Sequence, residues 1–203
     1  MRPERVRENL ERVRERIGPD VEVLAAVKYV DSVALPALAE AGIVLVGENR
    51  AQELAAKQDL HGELFTWDFI GAVQSRKLKE IAPRVRLIHS IASESALRRL
   101  EQSPAREVLI QVNVAGEGSK EGIDPSELAS YVERCPCPVT GLMTMPPFVE
   151  RGEDNRRHFA RLAELAAEHG LERLSMGTTQ DYEVAVEEGA TIVRLGSVLY
   201  EGA

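Results

Sequence analysis

A (β/α)8 barrel is the fold class this sequence predicts, and three observations lead to it. About eight short apolar runs are spread over the 203 residues, helical patterns separate them, and small or singly charged residues follow the runs where a barrel would place its working face. Strands alternating with helices imply parallel βαβ units, and about eight units in a chain of this length suit a compact closed barrel. An open doubly wound sheet is the other arrangement of the same units.

The elements follow in order. Arg5 to Ile17 reads as an amphipathic helix, with Val6, Leu10, Val13 and Ile17 at helical spacing and Gly18-Pro19 as its stop. It precedes the first apolar run and so stands outside the eight units. The runs are Val21–Val27, Ile43–Val46, Thr66–Ile70, Val85–Ile88, Glu107–Val112, Pro138–Met143, Leu171–Met176 and Thr191–Leu195. Between them, Asp31-Ser32 can cap a helix that takes Pro36 in its first turn and ends at Gly42. Asp124-Pro125-Ser126-Glu127 is a helix start with proline at the first helical position. Phe159, Leu162, Ala163 and Ala166 form a helical stripe closed by Gly170. No linker or short-period repeat divides the chain, which reads as one domain over residues 1–203.

Composition bounds the function. A hydrophobic share of 44% supports a substantial core, and a net charge of −8 argues against general binding to nucleic acid or anionic membrane. No apolar run approaches the 18 residues of a membrane span, and Met1-Arg2-Pro3-Glu4-Arg5 lacks the apolar centre of a signal peptide, so a cytoplasmic protein is expected. No long exposed apolar stripe is evident, and a monomer is the default. Cys135 and Cys137 are too close for an ordinary disulfide, the four histidines are scattered, and no metal site is expected.

The chemistry gathers at the strand ends. Lys28 closes the first run and is one of five lysines beside twenty arginines. Partial desolvation there would lower its pKa and make it a nucleophile toward an aldehyde or ketone; the plainer reading is a strand-end lysine whose head reaches water. Gly47-Glu48-Asn49-Arg50 follows the second run, Ser175-Met176-Gly177 the seventh, and Arg194-Leu195-Gly196-Ser197 the eighth. Small residues at the last two ends let backbone N–H groups approach an anion, with a helix starting near Thr179-Gln180-Asp181 adding its positive end; tight strand–helix turns would explain the same glycines. Arg194 sits among apolar residues and needs a partner, either a ligand or a neighbouring carboxylate such as Glu48. Lysine, anion cup and strand arginine together suit a phosphorylated aldehyde, and pyridoxal 5′-phosphate (PLP) fits that description. The glycine-rich stretch Gly116–Gly122 matches neither nucleotide fingerprint and reads as a loop over the barrel mouth.

These residues, in this order, resemble the YggS/PROSC-type family of pyridoxal-phosphate homeostasis proteins. The motifs are Ala25-Ala26-Val27-Lys28, Gly47-Glu48-Asn49-Arg50-Ala51-Gln52-Glu53, Phe69-Ile70-Gly71 with Gln74-Ser75, His89-Ser90, Gln111-Val112-Asn113, Gly141-Leu142-Met143-Thr144, Leu174-Ser175-Met176-Gly177 and Val193-Arg194-Leu195-Gly196-Ser197. Each is weak alone; their order and spacing together are specific. The resemblance implies a single barrel like the N-terminal domain of alanine racemase, with PLP held as an internal aldimine on Lys28 and Asn49 beside it. It implies Ser175, Gly177, Gly196 and Ser197 at the phosphate, and Arg194 facing the pyridine nitrogen. It also implies delivery of PLP to client enzymes. The chain departs from the family pattern at Asp68, where histidine is usual, at Ala72-Val73, at Arg76, at Thr178-Thr179 and at Ser197. The last two keep a hydroxyl; Asp68 and Arg76 bear on how the third-strand loop meets ligand or partners.

Three functions fit a reactive lysine here. The first is a carrier that buffers and delivers PLP without turnover. The second is a racemase-like enzyme using the same lysine, and the third a cofactor-free aldolase. Racemases resembling this barrel take a tyrosine acid/base from a second domain, for which the sequence after the eighth run leaves no room; Tyr29 is the nearest phenol and would alternate away from Lys28 if the strand continued. An aldolase would need further buried carboxylates or a second lysine. The carrier is the expectation.

Overall fold

Eight parallel strands close in sequence order, β1 through β8, with β1 pairing with β8. The structure, a computed structural model, describes residues 1–116 and 121–203. The strands are β1 (Glu22–Ala26), β2 (Leu45–Glu48), β3 (Thr66–Phe69), β4 (Leu87–Ile91), β5 (Glu107–Gln111), β6 (Val139–Met143), β7 (Arg173–Ser175) and β8 (Ile192–Leu195). Each expected run overlaps one of them, with β2 and β4 running on past the expected ends to Glu48 and Ile91. The closed barrel decides against the open sheet. Closure leaves no sheet edge exposed.

The helices are α1 (Pro3–Ile17), α2 (Leu35–Glu40), α3 (Ala51–His61), α4 (Leu78–Ile81), α5 (Glu94–Leu100), α6 (Leu128–Arg134), α7 (Arg156–Glu168), α8 (Tyr182–Glu187) and α9 (Ser197–Tyr200). Several open on short 3-10 turns, because the capping residues act one turn early. The Asp31 side chain accepts from the Val33 N–H, and Asp124 with Glu127 forms a reciprocal capping box. α1 buries Val6, Leu10, Val13 and Ile17, as its spacing predicts, and ends at Gly18 with φ 78°. Its buried Asn9 donates to the carbonyls of Leu199 and Glu201, at 3.0 and 3.1 Å, and so ties the extra helix to the end of α9.

Strand alternation splits the core in two. Outward-facing residues such as Val46, Trp67, Ile88, Leu174 and Val193 pack under the helices. Inward, Leu24, Leu45, Leu87, Leu109, Met143 and Ile192 fill the barrel. The same interior also buries a polar set, Asp68, His89, Ser175 and Arg194, of which Asp68, Ser175 and Arg194 stand in register with Leu87, Met143 and Leu24 of that cluster. Asp68 lies within β3, as the run Thr66–Ile70 places it. The reading of Gly116–Gly122 as a loop over the mouth falls on residues 117–120, which lie outside the described residues.

Candidate functional site

The residues picked out by the sequence come to one arc of the C-terminal rim, formed by β7, β8, β1 and β2. Register explains the convergence. Ala25 lies opposite Leu195 and Ala26 opposite Gly47, so the turns that follow these strands emerge side by side. Lys28 is in the turn after β1, two residues past the strand, where the Val30 N–H bonds the Val27 carbonyl. Its side chain is exposed, not desolvated, and its ammonium lies 5.2 Å from the centre of the Tyr29 ring. Because the strand ends before it, Tyr29 does not alternate away; it is 89% exposed.

Asn49 follows β2, and its N–H donates to Glu48 Oε1 at 2.7 Å. Gly71 is what lets the backbone sit there: a Cβ on it would come within 2.1 Å of the Asn49 carbonyl oxygen. Glu48 does not pair with Arg194. It faces outward toward α3, where Lys57 meets it at 2.6 Å with both side chains essentially sealed from solvent. Lys57 is buried because α3 folds it against the barrel wall.

Arg194 points inward from β8 and is 6% exposed. Its guanidinium donates to Ser175 Oγ at 2.5 Å, to the Thr144 carbonyl at 2.9 Å and to Met145 Sδ at 2.9 Å. All three acceptors are neutral, and among the described residues no carboxylate lies within ion-pair distance. Burial lowers its pKa to about 10, against the opposing field of Asp181, so it stays a cation at neutral pH. A buried charge whose hydrogen-bond acceptors are all neutral is costly, and persists where an anionic or electron-rich guest offsets it.

Ser175 has no hydroxyl hydrogen to spare for the rim. It is fully buried, with His89 Nδ1 2.8 Å from its Oγ on the side opposite Arg194. His89 Nε2 in turn lies 3.1 Å from Asp68 Oδ2, and Arg86 holds both oxygens of Asp68, at 2.7 and 3.0 Å. Burial pushes the His89 imidazole down, more than Asp68 lifts it, so the ring is neutral. Burial opposes ionisation of Asp68, but hydrogen bonds from His89 and Arg86 outweigh it and hold the carboxyl below its usual range. This chain of contacts was not visible in the sequence. The His89 motif was, and Asp68 stood out as a departure, but neither says which partner it meets.

The turns after β7 and β8, where an anion cup is expected, form a hollow at the rim. Gly177 has φ 90°, and a Cβ there would come within 2.6 Å of the Ala185 methyl and 3.0 Å of the Tyr182 Cα, so only glycine fits. At Gly196 the position of a Cβ is open, with nothing within 4 Å. Ser197 Oγ and Thr179 Oγ1 stand 3.4 Å apart and line an open hollow with Val198, Tyr200 and Glu201. Asp181 folds back on the turn, accepting from the Thr178 N–H at 2.7 Å. The Tyr200 hydroxyl donates to the Ala26 carbonyl at 3.2 Å, a link between α9 and β1 that no sequence pattern signalled. Arg76, another departure, is exposed and, among the described residues, donates to Gln74 at 3.4 Å. An exposed primary amine, a small open cup with two hydroxyls, and a buried guanidinium suit a flat phosphorylated carbonyl compound.

The alanine racemase N-terminal domain model matches residues 2–203. A pyridoxal phosphate homeostasis protein of Aquifex aeolicus is 39% identical, over 97% of this chain and 94% of the relative. One of Pseudomonas aeruginosa is 38% identical over 96% and 94%. Among solved structures, PipY of Synechococcus elongatus superposes with a TM-score of 0.87 without PLP, at 29% identity over 96% of this chain and 99% of that one. With PLP bound it gives 0.84 at 30% identity. The lysine/ornithine decarboxylase of Vibrio vulnificus, at TM-score 0.74 and 12% identity, shares the fold alone. Full-length agreement in both sequence and barrel leaves one assignment: the chain belongs to the pyridoxal phosphate homeostasis protein family, built on the alanine racemase N-terminal domain.

Proposed function

We propose that this chain binds pyridoxal 5′-phosphate at the rim formed by β7, β8, β1 and β2 and holds it in reserve for other enzymes without turning over an amino acid. The observation that carries this reading is Arg194, a buried cation with neutral acceptors, set in the same arc as an exposed amine and an open, hydroxyl-lined cup. When bound, the cofactor supplies an aldehyde that a primary amine captures with loss of water. Lys28 supplies that amine. Thr179 and Ser197 donate hydroxyl hydrogens to the phosphate, with Gly177 and Gly196 giving close backbone approach. Asn49 lines the ring beside Lys28. Arg194 faces the ring nitrogen and, as a permanent cation without an acceptor, disfavours its protonation. Ser175 acts from behind, presenting Oγ to Arg194. PipY, at 30% identity with PLP bound, supports the same use of this barrel.

The carrier reading follows from what flanks Lys28. Catalysis at an amino acid needs a positioned acid and base. The nearest phenol, Tyr29, is 89% exposed and held by no wall of the site. No helix among the described residues is long and apolar enough to cross a membrane, and a cytoplasmic monomer serving client enzymes is the setting proposed.

The test is borohydride reduction after incubation with PLP, followed by peptide mass mapping and assays for amino-acid racemisation. A single pyridoxyl adduct on Lys28 without turnover is expected. Adducts spread over Lys77, Lys79 and Lys120 would overturn the site, and racemisation at enzymatic rates would overturn the carrier role.

A further inference from the structure

Lys57 sits on α3 with 3% of its side chain exposed. Its ammonium donates to the Val27 carbonyl at 2.6 Å and to Glu48 Oε2 at 2.6 Å. The other oxygen of the same carboxylate accepts the Asn49 N–H at 2.7 Å, and the Val27 N–H reaches the Gly47 carbonyl at 2.9 Å. One cation thus ties together the ends of β1 and β2 and the inner face of α3. A buried ion pair is a poor source of stability, since an apolar pair of similar volume often does as well or better. What an apolar pair cannot do is grip one particular carbonyl.

That carbonyl is informative. The Val27 C=O shares a planar peptide unit with the N–H and Cα of Lys28, so fixing the oxygen fixes the plane from which the Lys28 side chain departs. Lys28 itself is exposed, with the Tyr29 ring 5.2 Å from its ammonium. The order at its root comes from the peptide behind it.

We propose that Lys57, working through Glu48, is a positioning residue for Lys28: it sets the Val27–Lys28 peptide so that the Lys28 amine meets a carbonyl carbon anchored by the cup at Thr179 and Ser197. The proposal rests on the reading of Lys28 as the amine that captures the aldehyde. In that capture the Lys28 nitrogen bonds the aldehyde carbon, and the aldehyde oxygen leaves as water with the two amine hydrogens. Lys57 touches none of the reacting atoms. Its effect is confined to the covalent part of binding.

Two probes separate that part from the rest: PLP, and pyridoxine 5′-phosphate, which carries the same ring and phosphate but an alcohol in place of the aldehyde. Their dissociation constants are measured on the wild-type chain, on Lys57→Met, and on Lys57→Met with Glu48→Gln, which removes both buried charges and leaves neither stranded. Circular dichroism melting checks the fold of each. The expected result is PLP binding weakened by about ten-fold, the scale of one lost charge-assisted hydrogen bond. Pyridoxine 5′-phosphate should stay within about two-fold, as the cup is untouched. The borohydride-trapped fraction on Lys28 should fall in parallel. Equal weakening of both probes would mean a purely structural role and overturn the proposal, as would no change in either. A wild-type chain that gives no adduct on Lys28 would overturn the underlying reading, and this one with it.

Discussion

The Asp68 carboxylate and the His89 imidazole meet 3.1 Å apart inside the barrel, and that contact sets the direction of every hydrogen bond from there to Arg194. An ionised carboxylate only accepts, so a neutral His89 must place its single N–H on Nε2. Nδ1 is then an acceptor and takes the Ser175 hydroxyl hydrogen across 2.8 Å. Ser175 Oγ is left with lone pairs only, and the guanidinium of Arg194 donates into them at 2.5 Å. A charge in β3 thereby orients a cation in β8, and Arg86 anchors the far end by holding both Asp68 oxygens.

The relay makes stability depend on pH. Burial holds the His89 pKa below its ordinary 6.5. The folded chain therefore refuses a proton that the unfolded chain accepts below about pH 6.5, and the contribution present above that pH is lost as the solution is acidified. Asp68, also depressed, adds a second loss below its ordinary 3.8. Urea unfolding of the wild type and of His89→Gln between pH 7.5 and 5 should show the wild type losing up to about 1.4 kcal/mol per pH unit more than the variant. Parallel curves would mean that His89 takes up its proton equally in both states.

Gly177→Ala tests the cup from its floor. With φ 90° and a would-be Cβ 2.6 Å from the Ala185 methyl, the substitution strains the backbone and pushes α8 away together. A loss of about 2–4 kcal/mol in chemical denaturation and a clear fall in PLP affinity are expected. Gly196→Ala, where the space is open, should cost little in stability. If the two variants melted alike, the tight turn after β7 would have no special standing.

Much of this was legible in the chain because it is written in local chemistry. Strand alternation, the Asp124 capping box and the glycines after β7 and β8 act within a few residues, so the eight runs and the rim residues could be read directly. What escaped reading depends on registry between distant segments. Lys57 looks like any helix-surface lysine until α3 is laid on β2, and Asp68, though within a strand run, shows no partner until β3 and β4 lie side by side and His89 reaches it. For Lys28 the plainer of its two readings holds: β1 stops at Ala26, so the lysine in the turn beyond it leaves the wall and reaches solvent.

The hydroxyls of Thr179 and Ser197 should matter to phosphate and little else. They stand 3.4 Å apart at the rim, and their removal leaves no buried partner unsatisfied. Thr179→Val and Ser197→Ala should each weaken PLP and pyridoxine 5′-phosphate by a similar factor of about ten, with melting temperature unchanged. Competition by inorganic phosphate should weaken in step. An effect on PLP alone would move these residues from the phosphate to the aldehyde end.

Arg194→Met separates cofactor chemistry from stability most sharply. The guanidinium is buried with neutral acceptors, so an apolar side chain of similar length relieves desolvation and gives up only neutral hydrogen bonds. Melting temperature should hold or rise. The ring nitrogen of bound PLP would lose the neighbouring cation that resists its protonation, and its apparent pKa, followed by absorbance against pH, should rise by about one unit. Competition by inorganic phosphate should change by less than about two-fold, because Arg194 lies below the cup and not in it. A destabilised variant with an unshifted absorbance titration would make Arg194 a packing residue. A stable variant with a shifted titration would identify a charge kept in the barrel at a cost in stability, for the sake of the ring.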